Sequence, residues 1–398
     1  MLLGIFSDSH LGFGSLDRYE EAFNRFDESI KIFKDKSVDY ILHAGDLFDH
    51  STPTQEVWHK TMECFNKNDS RLSNLTKKEI NKEKEVEVKG IPIIAIHGTH
   101  EHRGKDFSNA LDVLEEANCL LHLHAGYVEL EKNGEKVCIH GLGGVPEKMA
   151  LQVLQKYNPK PIPNTANLLL LHQSFKEFLP FEDDAIATLS LADLPEGFDL
   201  IINGHLHWTN EQKIGDKRFL LTGSSIFTQM KKLEGEKEKG VFIFDTKTKE
   251  LEFIPFAQQR KLFYNKLKFD DAKPEAIIAK VNEVIASIPL EQKLKPLVRL
   301  KLVGTIAKGF AQKDISFSLP EDKAIFSVTK NFELSAFKKK ISELKELQKE
   351  KKGVIELGID ILEKNVEEAN LEGFDTRRIF ELLSQGEVEK AESVLLKE

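Results

Sequence analysis

Two carboxylates and four histidines, spread from Asp8 to His207, each follow closely on a short apolar run. LLGIFS leads into Asp8-Ser9-His10, YILHAG into Asp46, IPIIAIHG into Thr99-His100-Glu101, NLLLL into His172, and DLIING into His205-Leu206-His207; FLLTGSS closes the series with a glycine turn and no ligand. A carboxylate set between two cations can bridge them at a separation of ~3.5–4 Å. Histidine adds neutral nitrogen donors, so the total charge stays low enough to admit a phosphate. Mixed carboxylate and imidazole ligation suits manganese, iron or zinc better than magnesium or calcium. Two ions held this way polarise a water and neutralise phosphoryl oxygens during an in-line displacement. Any one of these residues, met singly, is more often structural than ligating. Asp8, His10, Asp46, His172, His205 and His207 become candidate ligands because they occur together, in order, each behind an apolar run.

The runs have the length of buried strands and are rich in Ile, Leu and Val. In an open parallel sheet the carboxyl ends of neighbouring strands face one crevice, where ligands bind. Helical spacing of Ala22, Phe23, Phe26, Ile30 and Phe33 predicts a helix over 19–35, and Ser51-Thr52-Pro53 a turn into a helix near Thr54. Residues 126–140 read as a hairpin turning at Asn133-Gly134, and 243–254 as a second, turning at 246–249. Residues 66–89 carry few large apolar side chains and read as a solvated insertion with at most one short helix. Beyond Phe256 come a strand over 263–267, a helix over 274–287 opened by Pro274, and a half-exposed strand, LVRLKLV, over 297–303. Lys-rich residues 337–352 read as a helical linker or arm. Short helices follow over 353–398, one capped at Asp375-Thr376 and ended by Gly386. The fold class is α/β with a small α+β unit and a helical C-terminal segment.

The chain has 398 residues, 40% hydrophobic and 30% charged, which suits a globular protein of two or three domains. Cys64, Cys119 and Cys138 have no C-x-x-C spacing and read as small buried hydrophobes of a reducing compartment. MLLGIF is too short and too soon polar for a signal peptide, and no apolar stretch approaches a membrane span, so the expected location is the cytoplasm. Net charge is −9, yet residues 256–352 hold 21 Lys and Arg against 12 Asp and Glu, a basic segment between two acidic ones. That asymmetry fits a surface facing a polyanion, although Lys-rich helices that only confer solubility would look the same.

The order of DSHLGFG, HAGDLFD, HGTHEHRG, LLLLHQSF and INGHLH resembles that of the calcineurin-like metallophosphoesterases, and the five segments themselves look like the motifs of one branch. The finer resemblance is to the DNA double-strand-break repair nucleases of the Mre-eleven or SbcD type. It covers roughly residues 1–255 well. The segment after 256 is similar to that family's capping domain, and GFDTRRIFELLSQGEVEKAESVLL to helices that dock on a partner ATPase. The resemblance implies a sandwich of two sheets flanked by helices over 1–255, an α+β DNA-binding cap over 256–345, and a linker with docking helices over 346–398. It implies 3′-to-5′ exonuclease and single-strand endonuclease activity with two divalent cations, manganese foremost. The implied partners are DNA, an SMC-type coiled-coil ATPase of the Rad-fifty or SbcC type, and a second copy of the chain; no membrane is implied. Asp8, His10 and His207 would hold one ion, Asp46 would bridge, and His172 and His205 would hold the second. His100 would be the proton donor, oriented by Glu101. The family has asparagine where this chain has Thr99, which takes its place as a candidate ligand of the second ion; its hydroxyl is a shorter and weaker donor, so a weaker second site is expected. His97 and His102 flank that position and could compensate; His122 and His124 read as structural. Asp49 stands where some relatives place a histidine, which leaves His50 without an assigned role. Two other functions share the ligand set: a phosphoesterase for small substrates, and a scaffold subunit with a weakened second metal site.

Overall fold

In a computed structural model, residues 1–14, 18–68, 71–79, 82–104, 107–179, 188–215 and 217–334 are described, with 359, 362–363, 366, 375–384, 387, 391–392 and 394 beyond them. They form two compact units. The first comprises Met1–Tyr264 with Leu290–Arg299 and Glu321–Ile325; the second comprises Asn265–Pro289, Leu300–Pro320 and Phe326–Glu398.

The first unit holds two sheets. One has the order Leu251–Pro255, Gly240–Asp245, Leu2–Phe6, Tyr40–Ala44, Ile93–Ile96, Leu121–His122. The other has the order Asn210–Ile214, Lys217–Leu221, Leu200–Asn203, Ala166–Leu171, Glu135–Leu142, Gly126–Lys132, Leu72–Glu79, Lys82–Lys89. Leu3, Ile5, Leu42, Ile94 and Ile96 of the first sheet meet Val137, Ile139, Leu168, Leu170 and Ile202 of the second in one core. The other faces are covered by helices. Phe6 and Ile41 pack with Phe23, Phe26, Ile30 and Phe33 of helix Tyr19–Asp35. Leu169, Leu171 and Ile201 pack with Ala150 and Leu154 of helix Glu147–Tyr157. Strands covered on both faces need apolar side chains at every position, which is why these segments read as continuous runs. The first unit is thus a mixed α/β body with two sheets flanked by helices.

The runs do not share one sheet, as an open crevice would require. Leu2–Phe6, Tyr40–Ala44 and Ile93–Ile96 are parallel neighbours in the first, whereas Ala166–Leu171, Leu200–Asn203 and Lys217–Leu221 are parallel neighbours in the second. Apolar periodicity reports burial and cannot say which sheet a strand joins. The helix beginning after Thr54 and both hairpins form where expected.

The reading of 66–89 as a solvated insertion is corrected. Leu72–Glu79 and Lys82–Lys89 pair antiparallel and extend the second sheet beyond Gly126–Lys132. Only Leu75, Val86 and Val88 supply buried apolar side chains there. An outer hairpin covered on one face needs no more, and the intervening Lys and Glu residues hide the alternation. Lys77 of this hairpin is also buried, its Nζ donating to Glu115 Oε2 (2.8 Å) and the His122 carbonyl (2.7 Å).

Strands Leu262–Ala272, Leu297–Ile306 and Ile325–Leu334 form a third sheet in that order, and Pro274 opens helix Pro274–Ser287. The 337–352 arm, Gly386 and most of the C-terminal helices expected over 353–398 lie outside the described residues. Thr376–Ser384 is a helix, and Asp375 Oδ1 accepts from the Arg378 amide at 3.0 Å, the cap expected there. Among the described residues no helix is long and apolar enough to cross a membrane.

Candidate metal centre

The loops that follow the two sets of parallel strands converge. Asp8 N donates to the Gly45 carbonyl (2.9 Å) and His10 N to the Asp46 carbonyl (3.1 Å), lacing the first two loops together. Gly204 N donates to the Leu171 carbonyl (3.1 Å) within the second sheet's loops, and Ser225 N donates to the Asp8 carbonyl (3.2 Å), which ties the second sheet's loops to the first's. Asp8, His10, Asp46 and His205 all adopt positive φ, at 47°, 47°, 52° and 73°. Non-glycine residues rarely adopt that backbone, and such strain gathers at functional sites. The crowding also requires Gly98, because a Cβ there would overlap the Asp46 carboxylate.

Among the described residues, the donor atoms of the candidate ligands fall into two groups that share Asp46, and a third group joins His10 to Asp49 and His100. One atom each from Asp8, His10, Asp46 and His207 lies within 4.8 Å of the others, and the same holds for Asp46, His172 and His205. Each histidine turns one ring nitrogen outward. His10 Nδ1 meets Asp49 Oδ1 at 3.0 Å, His172 Nδ1 the Ala44 carbonyl at 2.7 Å, and His207 Nδ1 the Thr228 hydroxyl. The opposite nitrogens point inward. His10 Nε2 and His207 Nε2 stand 3.2 Å apart, and His172 Nε2 lies 3.1 Å from Asp46 Oδ2, buried and without a hydrogen bond. Buried nitrogens facing one another and a carboxylate oxygen fit divalent cations, with outer acceptors fixing each ring.

Burial and mutual charge set the electrostatics. Burial alone would lower His172, but Asp46 outweighs it and pushes the ring up to about 10, while Asp46 is held well below its usual range. Burial, followed by His10 and Lys239, holds His207 far below its ordinary value. Burial raises Asp8, with Asp46 adding to it against the opposing pull of His172. A cation bound here must compete with the proton that the Asp46 carboxylate favours on His172. Manganese binding at pH 7 is expected to release protons, read as buffer-dependent heats in titration calorimetry; equal heats in two buffers of different ionisation enthalpy would contradict this. Because the folded value lies above the ordinary 6.5, the pairing stabilises the metal-free fold fully below pH 6.5, and the contribution is lost as pH rises through about 10.

His100 stands at the rim, with its side chain 41% exposed. Its backbone amide donates to Asp46 Oδ1 (2.8 Å), and its Nδ1 donates to the Asp49 carbonyl (2.5 Å). The His10 and His100 ring centroids lie 4.8 Å apart. Glu101 does not reach the His100 ring. Its carboxylate is fully buried and accepts from the Phe48 amide (2.6 Å) and the Gly98 amide (2.7 Å). It thus braces the two loops rather than orienting the ring, and burial followed by Asp46 pushes it up to about 7. Thr99 is exposed on the same turn. His97 pairs instead with His122 (Nδ1 to Nε2, 3.0 Å), which is held by Asp112, and His102 is exposed.

Several residues of this centre escaped the sequence reading. Asp49, noted in the sequence only as standing where some relatives place a histidine, touches both His10 and His100, a role its position did not suggest. Thr228, Glu234 and Lys239 form a buried network behind His207, and Glu147 lies beside His205. Nothing in their spacing announces either contact.

The two-sheet fold and the paired Asp/His groups define a metallophosphoesterase. The family model for calcineurin-like phosphoesterases matches residues 1–209, more than half of the chain, and the chain belongs to that family. It is 25% identical over 346 residues to the DNA double-strand break repair protein Mre11 of Thermoplasma acidophilum, covering 81% of each chain. It is 25% identical over 365 residues to double-strand break repair protein mre-11 of Caenorhabditis elegans, covering 75% of this chain and 50% of that one. It is 27% identical over 247 residues to the Mre11 of Saccharolobus solfataricus, covering 60% of this chain and 58% of that one. The chain therefore spans only about half the length of several curated relatives that it matches.

Proposed function

We propose that this chain is a two-metal DNA nuclease acting on double-strand breaks, with 3′-to-5′ exonuclease and single-strand endonuclease activity. The observation that carries the reading is Asp46, shared by both donor groups and bonded through Oδ1 to the backbone of the rim residue His100. Relatives named for double-strand break repair, one of them matched over 81% of its length, supply the substrate class. When bound, the two cations supply a polarised water and neutralise the phosphoryl oxygens. Asp8, His10 and His207 would hold one, His172 and His205 the other, with Asp46 between them and manganese the best match to the donor set. Asp49 fixes the His100 ring by accepting from Nδ1–H, so that the doubly protonated ring can give its Nε2 proton to the departing sugar oxygen and be left neutral. We assign nuclease chemistry to 1–255, contacts to the phosphate backbone to the basic 256–345 segment, and docking on an SMC-type ATPase to 346–398, in a homodimer.

A manganese-dependent assay on linear DNA tests this. The His100→Ser protein should cleave roughly 10²–10⁴-fold more slowly while retaining DNA binding that weakens steeply with salt. Hydrolysis of small phosphodiesters without DNA cleavage would move the reading to a small-substrate phosphoesterase. DNA binding without hydrolysis of either would make the chain a scaffold.

A further inference from the structure

Three of the four candidate histidine ligands present Nε2 inward and turn Nδ1 toward an oxygen. His205 is the exception. Its Nε2 is the nitrogen turned outward, 3.5 Å from Glu147 Oε1. That leaves Nδ1 for the group shared with Asp46 and His172. The other oxygen, Glu147 Oε2, is buried, and Ser174 also faces this carboxylate with its hydroxyl and its backbone amide. Glu147 opens helix Glu147–Tyr157, directly after the Gly143–Pro146 loop. That loop lies against the turn bearing Thr99: Gly144 N donates to the His97 carbonyl (2.7 Å), and a Cβ on Gly144 would come within 2.9 Å of Thr99 N.

We infer that Glu147 is a positioning residue for the second cation, locking His205 with Nδ1 toward the ion at the site where Thr99 stands in place of an asparagine. This rests on the two-metal reading above and adds an outer carboxylate to it. An outer carboxylate fixes the tautomer and strengthens the imidazole as a donor, and removing one typically costs 10–100-fold in metal affinity. The effect should therefore fall on one ion only, because His10, His207 and Asp8 do not touch Glu147. It should also be smaller once Thr99→Asn restores a carbonyl donor.

Manganese titration of the whole chain, followed by calorimetry and by the electron paramagnetic resonance of coupled manganese pairs, tests this without any activity measurement. In Glu147→Gln, one ion should bind as in the parent and the other about tenfold or more weakly, with the coupled-pair signal appearing at correspondingly higher manganese. The Thr99→Asn/Glu147→Gln protein should lose less relative to Thr99→Asn alone. Glu147→Asp keeps a negative charge at the helix start but draws the carboxylate back by one methylene, so it should not restore affinity. Two unchanged affinities in Glu147→Gln, equal loss at both ions, or full recovery in Glu147→Asp would overturn the assignment, the last by reducing Glu147 to a charge on the helix terminus. A parent protein that binds no manganese would instead overturn the two-metal reading itself, and this inference with it.

Discussion

Replacing Asp46 with Asn is expected to abolish tight binding of the second manganese ion and to slow DNA cleavage by roughly a thousandfold. Asp46 is the one residue common to both donor groups, and its two oxygens are spoken for separately. Oδ1 accepts from the His100 amide at 2.8 Å, and Oδ2 faces His172 Nε2 at 3.1 Å. The amide that replaces it has the same shape but no charge and one donor in place of an acceptor. Two cations held close together repel one another, and the bridging charge is what offsets that. Several kcal/mol of transition-state stabilisation depend on paired ions, which corresponds to about three decades in rate. Metal stoichiometry and single-turnover cleavage check this together. Two tightly bound ions and an undiminished rate in Asp46→Asn would show that Asp46 does not bridge.

Replacing Lys239 with Met is expected to destabilise the first unit by about 3–5 kcal/mol, because it strands a buried carboxylate. Lys239 Nζ donates to the His207 carbonyl (2.7 Å), Ser224 Oγ (2.8 Å) and Glu234 Oε1 (3.3 Å). Glu234 in turn accepts from the Thr228 amide (3.0 Å) and the Gln229 amide (3.2 Å). Glu234 thereby fixes the loop whose Thr228 hydroxyl meets His207 Nδ1. The melting temperature should fall by roughly 10 °C, given about 2–4 °C per kcal/mol for a unit of this size. Lys239→Met/Glu234→Gln should recover part of the loss, since no uncompensated charge then remains. A single variant within 1 °C of the parent, or a double variant less stable than the single, would refute the argument.

These expectations also mark where the sequence was legible. Asp8, His10, Asp46, His172, His205 and His207 could be found because each sits at the exit of a strand buried on both faces, and such strands write themselves as unbroken apolar runs. The partition of those strands between two sheets left no trace, since Leu168 and Leu42 are equally apolar whichever layer they join. The hairpin at 72–89 was hidden because Leu75, Val86 and Val88 are its whole apolar contribution to the buried interior. Lys239, in the run GEKEKG, looks like an ordinary surface lysine, and its burial depends on Glu234 and on His207, 32 residues away in sequence. Glu147 and Asp49 are likewise defined by contacts across distant loops. Local patterning carries the strands and their ends; the groups that orient the ligands belong to the tertiary fold.

Because Asp8, His10 and Asp46 ride on one sheet and His172, His205 and His207 on the other, the centre straddles the seam of the sandwich. The gap across that seam is set by side chains such as Ile5, Leu42, Leu168 and Leu170, none of them exposed to solvent. The interior thus works as a caliper. A methyl group added or removed between the layers would change the jaw opening, and with it the spacing between donor atoms carried by the two sheets, far from where the change was made.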